Sequence, residues 1–404
     1  MSQTSLQRSR EEAALDEFEK VLLSFTDPRR KQGQYYPLKS IIVIALMAMV
    51  CGCEDGEAME IWGEINKEWL SGFLELPHGA PTQDVFLDVF AALNPSEFSA
   101  VFIAWMKVLL TRMELLGKHI AVDGKTSRRS FDKDDHGNKI PPLHTVSAWL
   151  SDAGLVLGQC KTAEKSNEIT AIPELLKLID IRGATITIDA MGCQTEIAQT
   201  IVEHEGHYLL AVKENQPTLY RDVQASFRDA LDKTLRPLDQ KGPLKLESHT
   251  STDKGHGRIE ERVVHLCRDL SWLTTAASWP GLSYIAMVES KRTELSTQKT
   301  SMEYRYYIGS ELSTTVKGVG EKIRRHWGIE NGLHWVLDMV FREDEARHRA
   351  KNCAANFATL RHFTLNLLKK DKTQKVGIAN KRKLAGFSRE YLLHILTGAT
   401  LATS

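Results

Sequence analysis

The chain has 404 residues, enough for two or three folding units, and its 52 lysines and arginines balance its 52 aspartates and glutamates. Zero net charge gives no electrostatic indication of a nucleic-acid or membrane partner, and the longest apolar run, Ile41 to Cys53, is shorter than the roughly 20 residues of a membrane-spanning helix. The opening residues carry no secretory pattern and the six cysteines form no paired zinc motif, so the expectation is a cytoplasmic protein with reduced thiols and no membrane partner.

Residues 1–117 are expected to form an all-helical N-terminal domain. Apolar stretches run over Leu15–Phe25, Leu38–Val50, Ala58–Leu74 and Val85–Leu116, with breaks at Pro28, Pro37, Pro77, Pro81 and Pro95. Ile41 to Cys53 is expected to be a buried core helix. From His119 the texture changes to short β-branched runs. HIAVD is a predicted strand, and TVSAWL and LVLGQC flank the turn SDAG of a hairpin. ITAIPELLKLI then has helical spacing, ATITID is a strand, TEIAQTIVEHE a second helix, and HYLLAVK another strand. The order β-β-β-α-β-α-β is that of a ribonuclease H-like α/β fold, a mixed sheet flanked by helices.

Residues 216–315 interrupt this pattern with the strand-like runs RIEERVVHLC, LSYIAMVES and MEYRYYIGS, which predict a β-rich insertion. Helical spacing returns over 316–370, where Ile323, Trp327, Glu330, His334, Leu337 and Phe341 fall on one face. The core is thus expected in two parts, 118–215 and 316–370, followed by a basic helical tail over 371–404. Charge is unevenly spread. Ten acids face one base between Glu54 and Glu97, whereas Ala346–Ser404 carries twelve bases against two acids, a candidate phosphate-facing surface or equally a solvated helix face.

Three acids stand out. Asp123 ends the first strand and Asp189 the fourth, each just before a glycine-containing turn. Either one alone is equally a good turn residue. If the first and fourth strands lie side by side, however, both carboxylates project toward one point. Glu330 sits inside the apolar stripe, where an ionised carboxylate needs a cation, with His334 one turn away. Three converging carboxylates repel one another unless hard cations neutralise them, and oxygen ligands of this kind suit Mg²⁺ or Mn²⁺. Two such ions would support in-line phosphoryl transfer. Lys125, Arg128, Arg129 and Lys213 are cations near the strand ends that could hold phosphates, or could be solvated surface charge. Trp327 and Trp335, at helical spacing, are expected in the core more often than stacked on bases.

IAVDGKTSRRS, VSAW with LVLGQ, EKSNEITAIPELL, TIDAMGCQ, VKENQ and IRRHWGIENGLHWVLDMVFREDEAR closely resemble bacterial H-repeat-associated insertion-sequence transposases of the DDE superfamily. DPRRKQGQYYPLKSIIVIALMAMVCG resembles the helical N-terminal domain associated with them, so the likeness covers nearly the whole chain. It implies that Asp123, Asp189 and Glu330 are the DDE triad and bind the metals. Relatives often carry a Tyr, Arg, Glu, Lys signature on the last helix. The corresponding residues here are Ile323, His326, Glu330 and Leu337, so those phosphate-binding roles do not carry over, and Arg324, Arg325 and His326 are the candidate substitutes.

Asp338, Glu343 and Asp344 are rival third acids. The resemblance also implies double-stranded DNA with terminal inverted repeats, target DNA, and a homodimer when two ends are synapsed. A hydrolytic nuclease on the same fold, or a domesticated DNA-binding relative, is the alternative. GKHIAVDGKT lacks the first glycine of a phosphate-binding loop, which excludes an ATPase reading.

Overall fold

The computed structural model describes residues 26–110, 117–133, 136–162, 168–231, 245–255 and 257–401. The expected helix over Leu15–Phe25 lies outside them. Four helices come first: α1 (Leu38–Val50), α2 (Gly56–Leu70), α3 (Gln83–Ala92) and α4 (Pro95–Leu110). Proline is tolerated at the first position of α4 because the N–H it lacks would have had no helical acceptor there, and Asn94 Oδ1 accepts from Ser96 N at 2.9 Å to cap it. α1 is apolar on every side, and Ile41 to Val50 are all buried, as the run of apolar residues demands. Among the described residues no single helix is long and apolar enough to cross a membrane.

What covers α1 comes from the other end of the chain. The 18-residue helix α10 (Cys353–Lys370) packs against α1, α3 and α4, with Phe357 tilted against Phe90 and Phe363 against Phe102 and Trp105. Two of its asparagines bond the backbone of neighbouring elements. Asn356 donates to Phe90 O and Leu93 O, and Asn366 exchanges hydrogen bonds with the backbone of Val156, locking the helix to the sheet. α11 (Ile378–Phe387) and α12 (Arg389–Leu401) close the chain.

The basic C-terminal stretch is therefore partly interior. Arg382 donates to Met49 O and Val340 O, Lys381 donates to Leu368 O, and Arg361 is buried beside Glu343. A cation that caps buried carbonyls is not free to meet a phosphate, so the uniform phosphate-facing surface is corrected to a few exposed bases.

Nine strands form one mixed sheet among the described residues: β1 (His119–Thr126), β2 (His144–Leu150), β3 (Leu155–Thr162), β4 (Thr185–Ile188), β5 (His207–Val212), β6 (Leu246–Gly255), β7 (Arg258–Cys267), β8 (Tyr284–Glu294) and β9 (Thr300–Gly309). Their order across the sheet is β3-β2-β1-β4-β5-β9-β8-β7-β6. β1, β4 and β5 are parallel neighbours and the remaining pairs are antiparallel. The helices α5 (Glu168–Leu178) and α6 (Thr195–Glu203) connect the parallel strands, giving the β-β-β-α-β-α-β order. α7 (Pro217–Leu231) follows β5. The inserted strands do not form a separate sheet: β9 pairs with β5, so the insertion prolongs the core sheet by four strands.

α8 (Val316–His326) lies across one face of this sheet, in contact with β1 and β4 at one end and β6 and β7 at the other. Thr315 caps it by accepting from Gly318 N at 3.1 Å. Val319 and Ile323 are buried there with Leu209, Val264, Val288 and Tyr307.

Candidate active site

Alternation along the strands decides where the acids point. His119 Nε2 lies 2.7 Å from Thr187 Oγ1, which is 2.9 Å from His326 Nδ1, so the odd-numbered residues of β1 and β4 face α8. Asp123 follows the pair Val122 and Ile188 on one strand, and Asp189 follows it on the other. Adjacent strands run about 4.8 Å apart, which brings the two carboxylates to the same edge on the same face. Asp189 also serves its turn: its Oδ1 accepts from Met191 N at 3.0 Å and Gly192 N at 3.3 Å. Gly124 is required between the two odd positions because a Cβ there would strike Glu168, which grips His144 Nε2 at 2.6 Å on the opposite face.

The third acid arrives on an irregular segment. After α8 the backbone widens into a π turn over Glu330–His334 before α9 (Trp335–Met339). The extra residue shifts the helical phase, and insertions of this kind recur at functional sites. The even apolar stripe is thereby corrected. Glu330 is half exposed and Trp327 and Trp335 are 50% and 55% exposed, whereas His334, Leu337 and Phe341 are buried. Both tryptophans thus stand on the surface, against the expectation of core positions.

His334 is the third member of a compact cluster with Asp123 and Glu330, and Asp189 lies outside it. Its Nδ1 is 3.4 Å from Glu330 Oε2 and 3.7 Å from Asp123 Oδ2, and its buried Nε2 has no hydrogen-bond partner. One donor atom from each of Asp123, Glu330 and His334 lies within 4.8 Å of the others. Burial, reinforced by the negative charges of Glu330 and Asp189, pushes the Asp123 carboxyl up to about 6 despite His334 and the Gly124 N–H. The hydrogen bond from His334 holds Glu330 below the usual carboxylate range. A buried carboxyl made costly to ionise by its acidic neighbours, open toward a second carboxylate and an imidazole, is a donor set that fits a divalent cation.

The rival acids have a different occupant. Lys125, two residues beyond Asp123 on the same face of β1, places Nζ 2.6 Å from Asp338, 3.2 Å from Glu343 and 3.5 Å from Asp344. Arg361 adds a further cation beside Glu343 at 3.4 Å. These acids are matched by fixed cations, and Lys125, 9% exposed, is a tie between β1 and the segment after the π turn rather than an open phosphate contact. His326 is likewise corrected: burial pushes it down to about 4, so the imidazole is neutral near pH 7 and bonded to Thr187. Arg128, Arg129 and Lys213 are exposed around the acids. Arg324 pairs with Asp253, and Arg325 with Asp152 at 2.9 Å, both at the surface.

Against known families, a model described as transposase DDE domain matches residues 115–367, and one described as DDE_Tnp_1-associated matches residues 19–106. The chain belongs to the DDE transposase family. It is 36% identical to the H repeat-associated putative transposase YhhI of Escherichia coli (strain K12) over 93% of its own length and 96% of that protein's. The putative protein YbfL of the same strain matches at the same identity and coverage, and the putative transposase YncI of Escherichia coli O157:H7 is 35% identical over 92% of each chain. A solved piggyBac transposase synaptic complex with hairpin DNA overlaps 93% of this chain and 76% of its own at 10% identity and a TM-score of 0.40, too remote to carry an argument. This DDE transposase is an insertion-sequence enzyme that uses divalent metal to cleave and transfer DNA strands.

His334 was visible in the sequence only as a charge partner for Glu330, through its i, i+4 spacing. Nothing in the sequence signalled the π turn that turns it toward Asp123.

Proposed function

We propose that Asp123, Asp189 and Glu330 are the metal-holding acids of this transposase, with His334 in direct support, and that they take Mg²⁺ or Mn²⁺, as a pair of ions. The observation that carries this reading is the register of β1 on β4, which sets the two aspartates at one level under the Glu330–His334 turn. The sheet and its helices support the ribonuclease H-like class, with 118–215 and 316–370 as catalytic core, 216–315 as insertion, 1–117 as the associated helical unit and 371–404 as tail.

When bound, such ions activate a water or 3′ hydroxyl and stabilise the leaving oxygen of an in-line displacement. The chain's own residues set that up. Asp123 and Asp189 fix one side of the site from rigid strand ends, and Asp189 is held by two backbone N–H groups. Glu330 approaches from the opposite side, steered by His334. Lys125 anchors the segment that follows through Asp338. Arg128, Arg129, Lys213, Arg324 and Arg325 are proposed to contact DNA phosphates around it.

The substrates in this reading are the terminal inverted repeats of an element and a target duplex in the bacterial cytoplasm, with two protomers related by two-fold symmetry at synapsis. The test is incubation of purified protein with labelled element ends, target DNA and Mg²⁺. Wild type should cleave and join, and Asp189→Asn and Glu330→Gln should do neither. Full activity in both variants would overturn the assignment.

A further inference from the structure

We propose that the face of the sheet extension beside α8 is a DNA groove that leads away from the acids, which rests on the reading of Asp189 as a metal-holding acid acting on DNA. Two cavities lie along this face. One, of about 700 Å³, is bordered by Asp189, Lys213 and Trp327. The other, of about 590 Å³, lies over β6–β9. Both are lined by Glu303, Arg305, Tyr307, Ile323 and Trp327, so they form one trough past the half-exposed Trp327 ring.

The floor is written in the strand alternation. On β7 the residues facing α8 read Arg258, Glu260, Arg262, Val264, and on β8 the pairing sets Arg292 beside Glu260, Ser290 beside Arg262 and Val288 beside Val264. β9 adds Arg305 opposite Val288. Under α8 this face is apolar, with Val264, Val288 and Tyr307 buried against Ile323. Beyond the helix it becomes arginine-rich where a free sheet face needs only polar residues. Lys317 and Arg324 of α8 form the wall. Seven lysines and arginines, Lys291 included, thus line this cavity against three lining acids, Glu260, Glu303 and Glu321, with Asp253 paired at its edge, in a chain whose overall charge is zero.

Ion pairs hold the guanidinium groups extended along the floor without burying them. Arg258 meets Glu260 at 2.6 Å, Arg262 meets Asp253 at 2.8 Å, and Arg324 shares Asp253. These pairs are half-buried or exposed and open to solvent on one side, so a phosphate can replace the carboxylate partner. From Val264 to Arg258 the strand advances about 20 Å, the length of roughly six base-pair steps. Arg305 sits 5.3 Å over the Trp327 ring, placing a cation and an aromatic face at the junction with the acid-bordered cavity.

The test measures binding of the full-length protein to a mixed-sequence DNA duplex longer than the groove, by fluorescence anisotropy across a KCl series without divalent metal. Arg258→Ala with Arg292→Ala should weaken binding about tenfold or more and lower the log-log salt slope by about one per arginine removed. Glu260→Gln, which removes an acid from the floor, should tighten binding, a gain that loss of structure would not produce. Unchanged affinity and slope in the double variant, or weakened binding in Glu260→Gln, would overturn the groove. Groove-dependent binding by a wild type that cleaves nothing in Mg²⁺ would support the groove and sink the acid site.

Discussion

Replacing Asp123 by Asn should stabilise the metal-free protein while removing its response to metal. The carboxyl titrates at about 6 in the fold against 3.8 when unperturbed, because burial and the Glu330 and Asp189 charges disfavour ionisation. The folded state therefore binds this proton more tightly than the unfolded chain. At pH 7.5 ionised Asp123 costs the fold on the order of 3 kcal/mol, an upper bound because the side chain is 21% exposed and titrates together with its neighbours. Asn keeps the shape, including an oxygen for the Gly124 N–H, and removes the charge. The expected gain in EDTA is about 1–3 kcal/mol, read from urea denaturation followed by tryptophan fluorescence. In Mg²⁺ wild type should gain stability with rising ion concentration, and Asp123→Asn should gain little. A variant less stable than wild type in EDTA, or equally stabilised by Mg²⁺, would rule out a charge-burial cost relieved by metal at Asp123.

Other consequences follow from the same geometry. His334→Ala should weaken Mn²⁺ binding about 10-fold to 100-fold, measured by electron paramagnetic resonance of the free ion, since it removes the imidazole from the Asp123–Glu330 cluster. Lys125→Met leaves Asp338, Glu343 and Asp344 without their shared cation and should cost about 3–5 kcal/mol in urea denaturation, whereas exposed Arg128→Ala should change stability by less than about 1 kcal/mol. Burial pushes His119 and His348 down to about 3 and His326 and His362 to about 4. Their folded values lie below the unfolded 6.5, so stability from keeping them neutral is complete above pH 6.5 and is lost as pH falls toward 4. The urea midpoint should drop over that window, outweighing the opposite contribution of Asp123. A midpoint that rises from pH 7 to pH 5 would contradict this.

Much of the catalytic half was legible because strands announce themselves by alternation. HIAVD and TITID place an aspartate directly after a run of buried apolar and β-branched residues, and parallel pairing of the two strands is consistent with the hairpin and the single helix α5 between them. Most of the readings that needed correction depended on a partner distant in sequence. Lys125 looks like a phosphate contact until Asp338 and Glu343, more than 200 residues on, surround it. The C-terminal bases look like a surface until Arg382 reaches Met49 O. Ile323 to Phe341 looks like one regular stripe because neither the end of α8 at His326 nor the π turn leaves a compositional mark, so the exposure of Trp327 and Glu330 was hidden. The joining of the insertion to β5 was equally invisible, since register between strands nearly 100 residues apart is not written in either strand alone.

Substituting the ligand atoms tests the proposed contact of Asp189 and Glu330 with the ion that drives strand cleavage. Asp189→Cys and Glu330→Cys replace a hard oxygen by a softer sulfur, which Mg²⁺ accepts poorly and Mn²⁺ accepts better. With labelled element ends, both variants should be inactive in Mg²⁺ and regain cleavage in Mn²⁺, while wild type cleaves in either. Cysteine variants that cleave equally well in Mg²⁺ and Mn²⁺ would contradict the account.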